Sequence, residues 1–445
     1  MKIDRFEMER YQSLYWHVVE YDLSESGVLP LTIRELLGPY ANAEAFLATR
    51  LGYPLSEGSH DTRANIAAWY PDATAENVTI VNGGSEANFL ALWTLLGPGD
   101  HLAFMVPNYL QGVGLGRHFG KTTDTFRLKL REGRWALDVD ELNRAVTKKT
   151  KVVMVCNPNN PTGSALTEEE MDAIVEAAGR VGAWLIADEI YRGAEIDTDE
   201  TTPTFWGRYE KTVITSGLSK AFGMPGLRIG WAVAPPKMIA RIWRRHDYTT
   251  LTPGMVSDGL AAFAMQPQVR ENILARTRGI VRTNLPHLEA WIHTHDDVFS
   301  YARPAAGAIA YVKYALPVDS TELVHRIREE RSVLLVAGDM FGLGKGLRFG
   351  FGYDMAHTLE GLTRVDLTLA DLGAARPAEA ASAEPPEPGP AAVEPIVVGS
   401  AEDENVVVAE MEPVGAGAVE VEPLEVEPLE VAPTETWTLP DPPVD

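Results

Sequence analysis

One cysteine, Cys156, occurs in 445 residues. A disulfide framework within the chain is therefore excluded, and a reducing compartment is the natural setting. No run approaches the roughly 18 apolar residues that a membrane span needs. The first ten residues, Met-Lys-Ile-Asp-Arg-Phe-Glu-Met-Glu-Arg, lack the apolar core of a signal peptide, so a cytoplasmic protein is expected. A basic surplus is missing as well. Lys and Arg number 39 against 63 Asp and Glu, which argues against a nucleic-acid footprint.

Lysine and arginine are absent from Pro377 onward, where 17 acids and 13 prolines lie. The net charge of −24 is concentrated there, and the first 376 residues carry only −7. This tail includes the near-repeat Val421-Glu-Pro-Leu-Glu-Val-Glu-Pro-Leu-Glu-Val431. Proline blocks regular structure and like charges repel, so residues 374–445 are expected to be extended and disordered. Solubilisation is the plain reading of the tail. Trp437 and the Val and Leu positions would be its anchors on a partner.

What is present is material for a large core: 45% hydrophobic residues and ten tryptophans. The segment from Phe6 to Tyr21 spaces Phe6, Tyr11, Leu14, Tyr15 and Val18 as an amphipathic helix that packs on something larger. Its aromatics, with Trp16 and Tyr21, serve either that packing or a substrate entrance. From Val78 the chain alternates apolar runs with helical stretches. The runs are Val78–Val81, Leu102–Val106, Val152–Val155, Trp184–Ala187, Val213–Thr215 and Ile229–Val233. The clearest helices between them are Ala87–Leu96 and Thr167–Val181. Such alternation predicts an α/β domain with a mainly parallel sheet flanked by helices. Beyond Gly254 helices mix with short strands, as in a smaller α+β domain. The expected organisation is an N-terminal arm (1–40) packing on the small domain, a large domain (41–255), a small domain (256–373) and the tail.

Ligands of such sheets bind beyond the carboxyl ends of the strands, and the unusual residues fall there. Val78-Thr-Ile-Val-Asn-Gly83-Gly84-Ser85 is a strand, a glycine turn and a helix start. That arrangement suits an anion, or merely a tight connection. Cys156-Asn-Pro-Asn-Asn160-Pro-Thr-Gly163 is a rigid loop that presents Asn160. Asp188 and Tyr191 follow another strand, where Asp also serves as an ordinary cap. Thr215-Ser216-Gly-Leu-Ser219-Lys220 ends a fourth, with Arg228 eight residues on. Alone, Lys220 reads as a solvated lysine, as most are. Among small residues it is instead an amine that can attack a carbonyl.

Together these stretches resemble the fold-type I pyridoxal-phosphate enzymes, specifically the class I/II aminotransferases. The matching motifs are Asn-Pro-Asn-Asn-Pro-Thr-Gly, Asp-Glu-Ile-Tyr, Ser-Lys220 with Gly-Leu-Arg228-Ile-Gly, and Gly-Leu-Arg348-Phe, in order across about residues 20–370. The resemblance implies pyridoxal 5′-phosphate, an L-amino acid and a 2-oxo acid. Lys220 would form the Schiff base and move the substrate proton. Asp188 would pair with the ring nitrogen, and Asn160 and Tyr191 with the ring oxygen. Gly83, Gly84, Ser85 and Arg228 would hold the phosphate, and Tyr109 would stack on the ring. Tyr53 would reach the phosphate of a neighbouring subunit, which implies a homodimer. Arg348 would clamp the substrate carboxylate, with Asn160 and the backbone of Gly27 on the substrate side. The family usually has serine where Gly217 stands, so Ser216 and Ser219 both remain candidates for the phosphate. Related pyridoxal-phosphate reactions (decarboxylase, lyase, cyclase or oxidase) use the same residues. A regulator that binds the cofactor without catalysis is the more distant alternative.

Three further signals carry no expected function. His293-Thr-His295-Asp-Asp reads as a solvated turn without a third metal ligand, and no metal site is expected. Gly342-Leu-Gly-Lys-Gly346 reads as a connecting loop. Cys156 reads as a buried strand end.

Overall fold

The computed structural model describes residues 3–38 and 46–374; the acidic tail beyond Ala374 lies outside the described residues. Eight strands form one sheet in the order Val78–Val81, Gly230–Val233, Thr212–Gly217, Trp184–Asp188, Thr150–Cys156, His101–Val106, Thr122–Arg131 and Arg134–Leu137. The five strands from Thr212–Gly217 to Thr122–Arg131 pair in parallel. The four from Thr212–Gly217 to His101–Val106 are apolar on both faces because helices cover both.

Side-chain alternation sorts each strand between two layers. Ala103, Met105, Val153 and Val155 join one core, which receives Met171, Ile174, Ala177 and Ala178 of helix Glu168–Val181. Leu102, Phe104, Val152 and Met154 join the other, beneath Leu90, Ala91 and Leu95 of helix Gly84–Leu95. Helix Glu168–Val181 begins with a reciprocal cap between Thr167 and Glu170 and ends at Gly182 in the left-handed region, which stops it cleanly.

The expectation of a mainly parallel sheet holds, with two strands reversed. Gly230–Val233 is antiparallel to both neighbours, with Ser216 opposite Trp231. No helix crosses over between residues 217 and 230; the chain folds back through the loop that carries Lys220. Arg134–Leu137 is the return strand of a hairpin, unread from sequence because its partner Thr122–Arg131 is largely exposed and polar.

A second, antiparallel sheet orders Phe299–Tyr301, Ile309–Tyr314, Gly346–Gly350 and Val336–Ala337. Helices Pro267–His293, Ser320–Arg331 and Met355–Asp371 contribute to its separate core. Tyr11 and Leu23 of the N-terminal segment join that core. The N-terminal helix is shorter than its periodicity predicts. It spans Glu7–Tyr15, and the chain then turns so that Tyr21–Asp22 can pair in parallel with Val333–Leu334. Leu14 and Val18 are consequently exposed, not packed.

His295 corrects another expectation. It is buried, with Nε2 3.3 Å from Asp366 Oδ1, so the His293–Asp297 stretch is not wholly a solvated turn. Cys156 is buried, and burial raises its thiol pKa well above the usual value.

Candidate active site

The carboxyl ends of the parallel strands open on a cavity of about 1140 Å³. Its floor comes from strand ends and its opposite wall from the N-terminal segment and the second sheet. Lys220, Asp188, Tyr191, Asn160, Ser85, Gly84, Tyr109, Ser219, Arg228 and Arg348 all line it.

At one pole, strand Val78–Val81 turns through Gly83, whose φ of 96° only glycine adopts freely, into the helix that starts at Gly84. A Cβ on Gly83 would meet Arg228 Nη2 at 2.3 Å. The turn therefore presses directly on the guanidinium. Open N–H groups of a 12-residue helix and an adjacent cation form a cradle for phosphate.

At the centre, Asp188 is buried at the end of its strand. Asn88 Nδ2 donates to Oδ2 at 2.7 Å, and the Ile190 N–H donates to Oδ1 at 3.1 Å. Thr215 Oγ1 donates in turn to Asn88 Oδ1 at 2.6 Å, which fixes the amide's orientation. Burial raises the Asp188 pKa to about 6, against the two hydrogen bonds that oppose it. A buried carboxylate held this way is a partner for a cationic ring nitrogen.

Lys220 Nζ donates to Glu25 Oε1 at 2.6 Å. Glu25 also accepts from the N–H groups of Gly27 (2.7 Å) and Ser26 (2.9 Å). Burial alone would raise its pKa, but the Lys220 ammonium and the Gly27 N–H outweigh it and hold the carboxyl below the usual value. Gly27 is thus brought beside Lys220. Tyr191 donates its hydroxyl proton to Ser26 Oγ at 3.0 Å.

Arg348 is fully buried on the middle of the second sheet. It donates from Nη1 to Asn160 Oδ1 (2.8 Å) and from Nη2 to the Ser24 carbonyl (2.6 Å). Its Nε has no partner among the described residues. Tyr109 packs edge-on against Phe6, with ring centres 4.8 Å apart.

Ser216, expected at this site, lies elsewhere, and Tyr53 was expected to serve a neighbouring subunit. Ser216 is buried in its strand and donates to the Glu189 carbonyl at 3.2 Å, whereas Ser219 lines the cavity. Tyr53 does not line it and is 83% exposed. Gly217 is glycine for a packing reason: a Cβ there would lie 2.7 Å from the Ile229 carbonyl oxygen. Glu25, Asp22, Ser24, Ser26 and Asn88 were not expected. Only Asn88 carries a sequence signal, being one helical turn after Gly84 and so on the same face.

The cradle, the buried Asp188 and the reachable Lys220 fit pyridoxal 5′-phosphate, and with the fold they define a fold-type I pyridoxal-phosphate enzyme. The model of the family "Aminotransferase class I and II" matches residues 40–365. The chain belongs to that family, and its cofactor is pyridoxal 5′-phosphate. Capreomycidine synthase of Streptomyces vinaceus is 28% identical over 353 residues, covering 77% of this chain and 88% of that protein. Among solved structures, a PLP-dependent aminotransferase from Streptococcus suis superposes with a TM-score of 0.78 at 30% identity, covering 84% and 99% of the two chains. The PLP-dependent cyclase OrfR gives 0.75 at 28% identity, covering 83% and 98%. No helix among the described residues is long and apolar enough to cross a membrane.

Proposed function

We propose that the protein moves an amino group from an L-amino acid to a 2-oxo acid. The observation that carries this reading is the convergence of Lys220, Asp188 and Arg348 on one cavity from two sheets. Bound there, pyridoxal 5′-phosphate supplies the electron sink that makes the substrate Cα proton removable. Lys220 is the residue that would attach the cofactor and, once displaced by the incoming amine, would be the base that takes the Cα proton. Asp188 keeps a negative charge under the ring nitrogen, and Asn88 and the Ile190 N–H keep that carboxylate in place. Gly83, Gly84, Ser85, Ser219 and Arg228 hold the phosphate, and Tyr109 covers the ring face. Asn160 and Tyr191 serve the ring oxygen, and Arg348 takes the substrate α-carboxylate through its planar fork. Gly27 lines the substrate side. The exposed Tyr53 reaches the phosphate of a second copy in a homodimer.

A second reading uses the same groups for another bond change at the amino acid, such as cyclisation. The similarity to capreomycidine synthase and to the cyclase OrfR favours it. An amino-acid panel separates the two. Transamination yields a 2-oxo acid and is reversed by adding a 2-oxo acid acceptor. Consumption of amino acid without any response to acceptors refutes the aminotransferase reading.

A further inference from the structure

The wall facing Lys220 is acidic. Glu9, Glu20, Asp22, Glu25 and Asp354 line it, besides Asp188 at the floor. The cavity's lysine and arginines are Lys220, Arg228 and Arg348, and the proposed chemistry engages all three; His17 and His357 also line it. No lysine or arginine remains among the described lining residues for a second carboxylate on the substrate.

Two of the acids lack a lasting partner. Asp22 makes no ion pair among the described residues. Its Oδ1 accepts only from Ser24, at 2.7 Å from the N–H and 2.6 Å from the hydroxyl. Burial outweighs those bonds and the Arg348 charge and raises its pKa. Among the described residues Glu25 forms an ion pair only with Lys220. While Lys220 held the cofactor, that ammonium would be engaged and Glu25 would meet an incoming substrate without it. Glu20, by contrast, is held by Arg364 at 2.8 Å.

An independent feature of the same cavity points to a ligand. Arg348 is 1% exposed, yet its Nε is unpartnered among the described residues. A buried, unpaired guanidinium N–H calls for an anion. Its Nη2 bonds the Ser24 carbonyl, which lies between Asp22 and Glu25 in the chain. A ligand carboxylate on Arg348 therefore sits beside the two acids. Trp16 also lines the cavity, where an aromatic ring suits a cation.

We infer that the substrate is an amino acid whose side chain carries a cation, an amine or guanidinium, received by Asp22 and Glu25. This rests on the amino-acid chemistry proposed above. The test uses holoenzyme and two non-reacting carboxylates, δ-guanidinovalerate and hexanoate, measured by calorimetry, together with turnover of L-arginine, L-lysine, L-norleucine and L-glutamate. Wild-type protein should bind guanidinovalerate at least about tenfold tighter than hexanoate, the worth of one hydrogen-bonded charge pair. Asp22→Asn and Glu25→Gln, checked by melting temperature, should each cut that advantage several-fold. Equal binding of the two acids by wild type overturns the inference and requires no variant. So does faster turnover of glutamate or norleucine, which leaves the amino-acid reading intact. Selective guanidinovalerate binding without conversion of any amino acid supports the inference and sinks the reaction proposed above.

Discussion

Glu25 Oε1 accepts a hydrogen bond from Lys220 Nζ at 2.6 Å, across 195 residues of chain. Both side chains are mostly buried, so removing one leaves the other inadequately paired. Glu25→Gln should destabilise the cofactor-free protein by about 1–2 kcal/mol in denaturant unfolding. The pH dependence has a definite sign. A depressed folded-state pKa gives stability that is complete above the ordinary carboxylate value of about 4.3 and is lost as pH falls through the depressed one. The wild-type and variant curves should therefore converge in acid. They should also draw closer once cofactor occupies Lys220. A constant gap in both respects would show that the pair contributes nothing.

Asp188 has the opposite sign. Its folded pKa is about 6, against about 3.9 in the unfolded chain. Between those values the native protein holds a proton that the unfolded chain has released. Its contribution thus makes cofactor-free protein less stable as pH rises from about 4 to 6, on the order of 2–3 kcal/mol in total. Asp188→Asn should remove that slope, seen as the difference between two pH–stability curves. In the loaded enzyme the same substitution should slow turnover by about 10²–10³-fold, since an aimed charge is lost at the reacting centre.

The two serines flanking Gly217 separate cleanly. Ser219→Ala should weaken cofactor binding about tenfold in an absorbance titration, the cost of one hydrogen bond to a charged group. Ser216→Ala, whose hydroxyl serves the Glu189 carbonyl, should leave that constant within about twofold.

Gly217→Ser restores the residue usual in the family but places Cβ against the Ile229 carbonyl. It should lower stability by about 1–3 kcal/mol and bring no gain in cofactor affinity. Tighter cofactor binding by this variant would contradict the packing account.

Arg348→Lys keeps the charge and loses the planar fork that meets Asn160 and Ser24. The expected signature is a KM for the amino acid raised about ten- to a hundredfold, with a smaller change in kcat, because the lost contact is made with bound substrate as well as in the transition state. Steady-state kinetics on the preferred substrate decides it.

Much of the site was legible in the chain itself. Gly83, Asn160, Asp188 and Lys220 each sit at or just past the end of an apolar strand, and parallel strands put such ends on one edge of a sheet. Local pattern therefore specified both the strands and the residues that the sheet would gather. It also marked helices Gly84–Leu95 and Glu168–Val181, though not the length of the first helix. Helical spacing continues past Tyr15, but pairing of Tyr21–Asp22 with Val333–Leu334 overrides it.

The acidic part of the substrate side was decided by tertiary structure alone. Leu23-Ser-Glu-Ser-Gly27 reads as an ordinary polar loop, and nothing within it says that Glu25 meets Lys220 or that Ser24 meets Arg348, 324 residues away. The Asn88–Asp188 bond likewise joins residues 100 apart. A hydrogen bond depends on where two backbones finally lie, and that follows from packing two sheets and an N-terminal segment around one cavity. The sequence by itself determined the cofactor-binding fold and the lysine that it carries to the cavity. Packing determined which charges face its substrate.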